Sequence, residues 1–291
     1  MLAQPWSALR ALRKVHRRRM LQAGMIGAAG AALAACGARS GATATTGTPP
    51  ATPEPKELVV LAAASLTDVF TEAGRRFPQL PGNAGARVIA SFGASSQLRL
   101  QLEQGAPADL FASADTAQME LAQKAGVLQG EPVIFASNRL VVLVAKAAPV
   151  TSLADLGKAG IKLVTTPKEV PVGAYTRQAL QKLAADPRYG AGFDQRVLAN
   201  VVSEEPDVRQ VVAKVQLGEA DAGIVYATDA AAAAAEVRVL DIPDPFNVVA
   251  TYPIAVVRQA RAPQLAQRFI AYLRSPDGQR LLQQYGFGPP V

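Results

Sequence analysis

The chain has one histidine, one cysteine and one tryptophan, and all three precede residue 37 (His16, Cys36 and Trp6). The remainder of the chain therefore offers no imidazole and no thiol. These absences exclude a histidine-based catalytic triad, a cysteine nucleophile, a zinc site of the His/Cys kind and a disulfide. Any chemistry beyond residue 36 must use hydroxyl, carboxylate, amine and backbone groups.

Acidic residues are also absent before residue 36, whereas six basic ones lie there: Arg10, Arg13, Lys14, Arg17, Arg18 and Arg19. The net charge of +7 would otherwise suggest a nucleic-acid or acidic membrane partner. The 24 basic residues that remain nearly balance the 23 acidic ones. The sequence therefore predicts no nucleic-acid partner for the folded part.

Residues 1–36 have the organisation of a signal peptide, with a basic region before a short apolar run. The run is too short to span a bilayer comfortably. Leu33-Ala34-Ala35-Cys36 resembles the bacterial lipobox, which implies cleavage before Cys36 and its diacylation. Arg17-Arg18 resembles a twin-arginine export signal, and a Sec route is the alternative. We therefore expect an exported lipoprotein, anchored on the extracytoplasmic side; the competing interpretation is an ordinary signal peptide with an incidental cysteine.

Residues 37–56 consist largely of glycine, alanine, threonine, proline and serine. Such a composition cannot bury a core, so this segment is predicted to be a disordered tether. The full chain is 49% hydrophobic. This leaves enough apolar sequence from residue 57 to the end for two modest domains.

Strand patterns alternate with helical ones beyond residue 57, which predicts an α/β architecture with parallel sheets. The apolar run from Leu58 leads directly to Ser65, which has the character of a helix N-cap, with Asp68 in the first turn. Gly93–Leu98 repeats this strand-to-helix junction. Asp186–Phe193 is predicted to be a loop. Because such junctions aim bare backbone N–H groups beyond the strand ends, they favour binding of an anion.

Five segments, in this order, resemble the periplasmic molybdate-binding proteins of ABC-type importers: Ala62-Ala63-Ala64-Ser65-Leu66-Thr67, Ser91-Phe92-Gly93-Ala94-Ser95-Ser96, Gly105 to Asp115, Gly223-Ile224-Val225-Tyr226 and Tyr285-Gly286-Phe287. The resemblance implies a two-lobed α/β structure, the type II periplasmic-binding-protein fold, with the ligand cleft between the lobes. Lobe 1 would be discontinuous, with residues 57–138 and 252–291, and lobe 2 would span residues 139–251.

The resemblance also implies the ligand-binding residues, which are Ser65, Ser95, Val172, Val208 and Tyr226. The serines and the tyrosine would donate from hydroxyls, and the two valines from backbone N–H groups. Val172 stands where the family pattern has alanine, a difference that a backbone contact tolerates. Molybdenum would be held only as its oxyanion, without direct side-chain ligation and without any cofactor.

Molybdate is a fully deprotonated dianion, so it matches a shell that only donates hydrogen bonds. Tungstate has nearly the same size and is expected to bind too. The implied function is delivery of this ligand, by a protein expected to be monomeric and not an enzyme, to a permease with its ATPase. The alternatives are a receptor for another oxyanion such as sulfate, a serine hydrolase using Ser65 or Ser95 with a lysine base, and a purely structural lipoprotein.

Each candidate residue also has a structural interpretation. Ser65 would otherwise be only a helix cap, Tyr226 a core residue, and Ser96 the donor in place of its neighbour Ser95. Tyr175 is assigned to packing. The carboxylates Asp68, Asp109 and Asp115 are assigned to caps and turns rather than to a metal site.

Overall fold

The computed structural model describes residues 56–291. The predicted signal peptide, Cys36 and the predicted tether up to residue 55 lie outside the described residues. Within residues 56–291, none of the helices combines the length and the apolar character that a membrane crossing requires.

Within residues 56–291, ten strands form two five-stranded sheets, ordered β2-β1-β3-β10-β4 and β7-β6-β8-β5-β9. The strands are Glu57–Ala63 (β1), Arg87–Gly93 (β2), Leu110–Ala112 (β3), Leu128–Asn138 (β4), Leu140–Ala145 (β5), Leu163–Thr165 (β6), Val201–Glu204 (β7), Ala222–Tyr226 (β8), Val237–Asp241 (β9) and Ala250–Val257 (β10).

Helices follow most of the strands. They are Thr67–Arg76 (α1), Ser95–Glu103 (α2), Thr116–Lys124 (α3), Pro171–Ala184 (α4), Phe193–Ala199 (α5), Val208–Gln216 (α6), Ala227–Ala232 (α7), Pro263–Arg274 (α8) and Pro276–Gln284 (α9), with 3-10 turns at Ala64–Leu66, Phe77–Gln79 and Leu153–Gly157. The apolar faces of α1 and α8 meet over the first sheet, where the rings of Phe70 and Phe269 lie 5.7 Å apart.

The expectation of parallel sheets is wrong in one respect, because both sheets are mixed. In the first sheet β1 is parallel to β2 and β3, but β10 is antiparallel to β3 and β4. In the second, β6 is parallel to β7 and β8, but β5 is antiparallel to β8 and β9. Only Arg139 separates β4 in the first sheet from β5 in the second. The two strands that run against the others in their sheets are thus β10 and β5, and each is the strand with which the chain enters its sheet from the other one.

Two local expectations also differ from the structure. Ser65 is not a helix N-cap: it lies inside the 3-10 turn that joins β1 to α1, and neither that turn nor α1 has a side-chain cap. The predicted loop Asp186–Phe193 ends in α5, a short helix that the sequence pattern did not reveal. Gly192 precedes this helix in the left-handed conformation, with φ of 73°.

Candidate functional site

One small cavity is lined by the ends of strands and the starts of helices from both sheets. It brings together all five residues that the sequence predicted for the ligand. Its lining residues are Ala63, Ala64, Ser65, Gly93, Ala94, Ser95, Ala114, Val170, Pro171, Val172, Asp207, Val208 and Tyr226. Segments that lie up to 163 residues apart in the sequence therefore meet at one point, because the β1, β2 and β3 ends face the starts of α4 and α6.

The size of the cavity restricts what it can hold. About 20 Å³ is open to the centres of water-sized atoms, and one water needs about 10–15 Å³ on that measure. On that measure the cavity has the size of one or two waters, so an amino acid or a sugar does not fit. The cavity is therefore suited to a small inorganic ion.

Ser65 forms one wall of the cavity, where its side chain is buried with 5% exposure. Its Oγ lies 2.9 Å from the hydroxyl of Tyr252, which belongs to β10. This long-range hydrogen bond takes the place of the local capping bond that the sequence suggested. It fixes the position of the Ser65 hydroxyl beside the cavity.

Ser95 is the first residue of α2 and lies against the cavity from a second side. Its Oγ accepts a hydrogen bond from the backbone N–H of Ala114 at 3.0 Å, so its own proton remains free to donate. The neighbouring Ser96 is buried but does not line the cavity. Of the two adjacent serines, the structure places Ser95 at the site.

Val172 contributes the start of α4. Pro171 occupies the first helical position, and no side chain caps this helix. The N–H groups of a first helical turn have no partner within the helix, so those of Val172 and Gly173 are unmatched there. The chain turns tightly here, since a Cβ on Gly173 would overlap the carbonyl oxygens of Thr166 and Pro167.

Val208 contributes the start of α6. The carboxylate of Asp207 caps this helix by accepting the N–H groups of Arg209 at 2.9 Å and of Gln210 at 3.3 Å. The N–H of Val208 is not one of the capped groups, and it has no intrahelical partner. Asp207 lines the cavity too, but its oxygens are engaged with the helix.

Tyr226 closes the far side at the end of β8. Its side chain is 1% exposed, and among the described residues its hydroxyl has no hydrogen-bond partner. Burial raises the pKa of this phenol well above its ordinary value, with the neighbouring hydroxyl of Tyr252 as a further cause. Tyr226 therefore keeps its proton and can act as a donor.

The electrostatic character of the site comes from the backbone. None of the residues that line the cavity in the described chain is a lysine or an arginine. Three helices of nine residues or more, α2, α4 and α6, begin at its wall. Each helix start carries about half a positive charge, so the cavity attracts an anion without a cationic side chain.

Contacts on two sides hold the bodies of the two sheets together around the cavity. Arg209 of α6 forms an ion pair with Asp68 of α1, and its Nε lies 3.4 Å from the carbonyl oxygen of Ala64. Gln118 of α3 donates to the carbonyl oxygen of Glu169 at 3.3 Å. The structure is therefore closed over the site.

The other predicted carboxylates have structural partners. Asp109 accepts backbone hydrogen bonds from Val59, Arg261 and Ala262. Asp115 caps α3 through Gln118 N at 2.9 Å. Within residues 56–291 no group of three or more histidines, cysteines or carboxylates is placed to hold a metal ion.

The sequence analysis did not identify Tyr252, whose hydroxyl is the hydrogen-bond partner of Ser65 Oγ. Its ring packs edge-on against Phe135, Tyr226 and Phe287. The available signal was its position at residue 252, where the resemblance placed the boundary between lobe 2 and the second part of lobe 1.

Comparison with known proteins agrees with this description. The family model for bacterial extracellular solute-binding proteins matches residues 58–288. The molybdate-binding protein ModA of Mycobacterium tuberculosis is 41% identical over 237 residues, which cover 81% of this chain and 85% of that protein. ModA of Escherichia coli is 34% identical over 240 residues, covering 79% and 88% respectively. These relatives confirm the resemblance derived from the five sequence segments.

Solved structures confirm the two-lobed α/β fold. The periplasmic molybdate-binding protein of Azotobacter vinelandii aligns with a TM-score of 0.69 at 22% identity, covering 80% of this chain and all of that one. The sulfate-binding protein SubI of M. tuberculosis aligns with a TM-score of 0.74 at 21% identity, covering 81% and 87%. At these low identities the two structures support the fold and carry no information about the ligand of this chain. The match over residues 58–288 shows that this chain belongs to the family of bacterial extracellular solute-binding proteins.

Proposed function

We propose that this protein binds molybdate, and tungstate with it, in the cavity between its two lobes and delivers the ion to an ABC importer. Ser65, Ser95 and Tyr226 would donate from their hydroxyls, and Val172 and Val208 from backbone N–H groups. The names of the relatives at 41% and 34% identity support this ligand. The lining of the cavity supports the same five residues.

The donor chemistry of the site suits such a ligand. A tetrahedral dianion offers only acceptors, and charge-assisted hydrogen bonds of this kind are worth about 1.5–3 kcal/mol each. The small volume and the absence of lysine and arginine from the described lining favour an inorganic oxyanion over an organic solute.

The observation that carries the proposal is the hydroxyl of Tyr226, which is buried at the cavity without a partner among the described residues. A buried donor without an acceptor costs about 1–3 kcal/mol. A bound anion would remove that cost. The same hydroxyl would have no reason to remain buried and unpaired in a purely structural lipoprotein.

The proposed lobes follow the two sheets: residues 57–138 and 252–291 form lobe 1, and residues 139–251 form lobe 2. Because each lobe supplies part of the ligand shell, binding would favour the closed form through a hinge motion. Release would then require opening, which the permease and its ATPase would drive. The protein would act as a monomer and without catalysis.

Calorimetric unfolding of the full chain, with and without excess oxyanion, tests the ligand. A ligand at 1,000 times its dissociation constant adds about 4 kcal/mol of stability. We expect a large rise in Tm with molybdate and tungstate and little with sulfate or phosphate. A rise in Tm with sulfate instead would show that the ligand is sulfate and not molybdate, and would leave the assigned fold unchanged. No rise with any of the four anions would reject anion binding.

The hydrolase alternative lacks its lysine base at the site, since the described lining contains neither histidine nor lysine. Turnover of a generic ester that is lost in Ser65→Ala or Ser95→Ala would contradict the binding function. Tight reversible binding without turnover would support it.

The proposed lipid anchor is Cys36, which lies outside the described residues. Its test is the distribution of the protein between membrane and soluble fractions. We expect the wild type in the membrane fraction and Cys36→Ser outside it, with Ser40→Ala as the matched control that stays in the membrane. Equal distribution of wild type and Cys36→Ser would reject the anchor.

A further inference from the structure

A chain of buried hydrogen bonds leads from the crossing strands to Ser65. Ser65 Oγ lies 2.9 Å from Tyr252 Oη, and Tyr252 Oη lies 3.5 Å from Nδ2 of Asn138. The same Nδ2 donates to Thr228 Oγ1 at 2.9 Å. Asn138 is the last residue of β4 and Tyr252 lies in β10, so the chain of bonds joins both linking strands to the wall of the cavity.

The direction of this chain is set at Asn138. Its Oδ1 accepts the backbone N–H of Arg139 at 2.9 Å. A backbone N–H can only donate, so the atom of Asn138 that faces Arg139 N must be the oxygen Oδ1. The atom that faces Tyr252 is therefore the nitrogen Nδ2. The amide nitrogen can only donate in turn. The oxygen of Tyr252 is therefore an acceptor toward Asn138.

The proton of Tyr252 then has one destination. Among the described residues, Ser65 and Asn138 are the partners of this hydroxyl, and Asn138 cannot accept through Nδ2. If Ser65 donated to Tyr252, the Tyr252 proton would be buried without an acceptor, which is the costly arrangement. Tyr252 therefore donates to Ser65. Its ring centroid lies 5.4 Å from that of Phe287 and 5.9 Å from that of Tyr226, which holds the hydroxyl in place.

Both serines of the site are consequently held as donors. Ser65 accepts from Tyr252, and Ser95 accepts from the backbone N–H of Ala114. In each case the remaining hydroxyl proton must find its acceptor in the cavity. A proton carried by the ligand would find no acceptor in either serine.

We propose that Tyr252 and Asn138 are positioning residues that fix Ser65 as a donor and thereby make the site select fully deprotonated oxyanions over singly protonated ones. This inference rests on the proposed function and names the groups behind its selectivity. It separates molybdate, tungstate and sulfate, which carry no proton, from hydrogen phosphate and hydrogen arsenate. It does not separate the members of the first group from one another.

Titration calorimetry with molybdate, sulfate, phosphate and arsenate tests the proposal at mildly alkaline pH, where phosphate and arsenate carry one proton. The readout is the ratio of the phosphate Kd to the molybdate Kd, with weak ligands measured by competition. In Tyr252→Phe, the Ser65 hydroxyl can rotate and accept the ligand proton. We expect molybdate to bind about 3- to 10-fold more weakly and the ratio to fall at least tenfold.

Asn138→Asp is the second variant, because it reverses the direction of the hydrogen bonds between residue 138, Tyr252 and Ser65. A carboxylate would accept the proton of Tyr252, so Ser65 would donate to Tyr252 and turn its lone pairs toward the ligand. The added charge weakens all anions alike, but the ratio should again fall. Tyr272→Phe is the matched control, since Tyr272 is a buried tyrosine that packs against Phe77 and Phe269 away from the cavity; its ratio should equal that of the wild type.

The outcomes separate the two proposals. A wild type that binds none of the four anions rejects the proposed function. A wild type that binds molybdate, together with variants whose affinities for all anions change by one common factor, rejects the positioning role and leaves the function intact. A fall of the ratio in either folded variant, without one in Tyr272→Phe, supports the positioning role.

Discussion

Arg209 of α6 and Asp68 of α1 form an ion pair that joins the two lobes at the edge of the cavity. The pair lies beside two of the proposed ligand-binding residues, since Val208 precedes Arg209 and Ser65 lies three positions before Asp68. It therefore belongs to the closed structure and would be broken when the lobes separate.

Asp68→Asn should accelerate ligand release. The two side chains are 29% and 46% exposed, and pairs of that exposure contribute about 0.2–1 kcal/mol. We expect up to about a fivefold faster dissociation, with a smaller dependence on salt than in the wild type. Stopped-flow displacement of molybdate by tungstate or chelator measures the rate. Asp186→Asn is the control, because Asp186 pairs with Arg188 inside one loop; equal rates in wild type and Asp68→Asn would contradict the role.

Tyr226→Phe should change affinity and stability in opposite directions. Loss of a donor to a charged ligand weakens binding by about 10- to 100-fold. The ligand-free protein should be as stable as the wild type or more so, because a buried unpaired hydroxyl is removed. Calorimetric titration and thermal unfolding measure the two effects. Tyr189→Phe, at a ring that packs against Phe193 and Phe246 outside the cavity, should change neither.

Asp229 should make stability depend on pH. It is 1% exposed, and burial raises its pKa to about 7, although Arg209, 3.5 Å away, lowers the pKa, and Asp68 and Asp207 raise it. The folded protein therefore holds a proton that the unfolded chain releases at lower pH. Its contribution to stability is full below about pH 4 and is lost as the pH rises to about 7, by at most about 4 kcal/mol.

Asp229→Asn removes this titration while it keeps the volume of the side chain. Urea unfolding of wild type and variant between about pH 5 and pH 8 measures the difference in free energy of unfolding, in which all other titrating groups cancel. The variant should gain stability relative to the wild type as the pH rises. A difference that stays constant with pH would refute the prediction.

Gly173→Ala should impair both folding and binding. A Cβ at this position would overlap the carbonyl oxygens of Thr166 and Pro167 and displace the start of α4, which carries Val172. Gly278→Ala provides a matched control. Gly278 lies near the start of α9, and a Cβ there would overlap the carbonyl oxygen of Tyr272. Both variants should have a lower Tm. Only Gly173→Ala should bind molybdate more weakly in its folded form, as calorimetry of the folded protein would record.

Short sequence motifs in a fixed order predicted five ligand-binding residues, and the structure brings all five to the lining of one cavity. Ser65 illustrates the limit of local reasoning: its pattern suggested a helix cap, but its hydroxyl bonds to Tyr252, 187 positions away. No local pattern reports such a partner. The same limit explains the antiparallel strands, because a strand that returns from the other sheet has the same apolar pattern as its parallel neighbours.

The short helix α5 was missed for a different reason. Its seven residues follow Gly190 and Gly192, both with positive φ, and those glycines favour a loop. The helix is stabilised by packing instead, since Phe193 and Val197 are buried. Tertiary contacts here outweigh weak local preferences.

Two of the proposed ligand contacts are peptide N–H groups, at Val172 and Val208. Every amino acid except proline carries such a group, so substitution of either side chain by another apolar one leaves the donor in place. These groups also do not titrate in the physiological range. Most point mutations and changes of pH therefore leave these anion-attracting N–H groups unchanged. Substitutions that alter specificity are concentrated in the few hydroxyl residues of the cavity and in the residues that contact them.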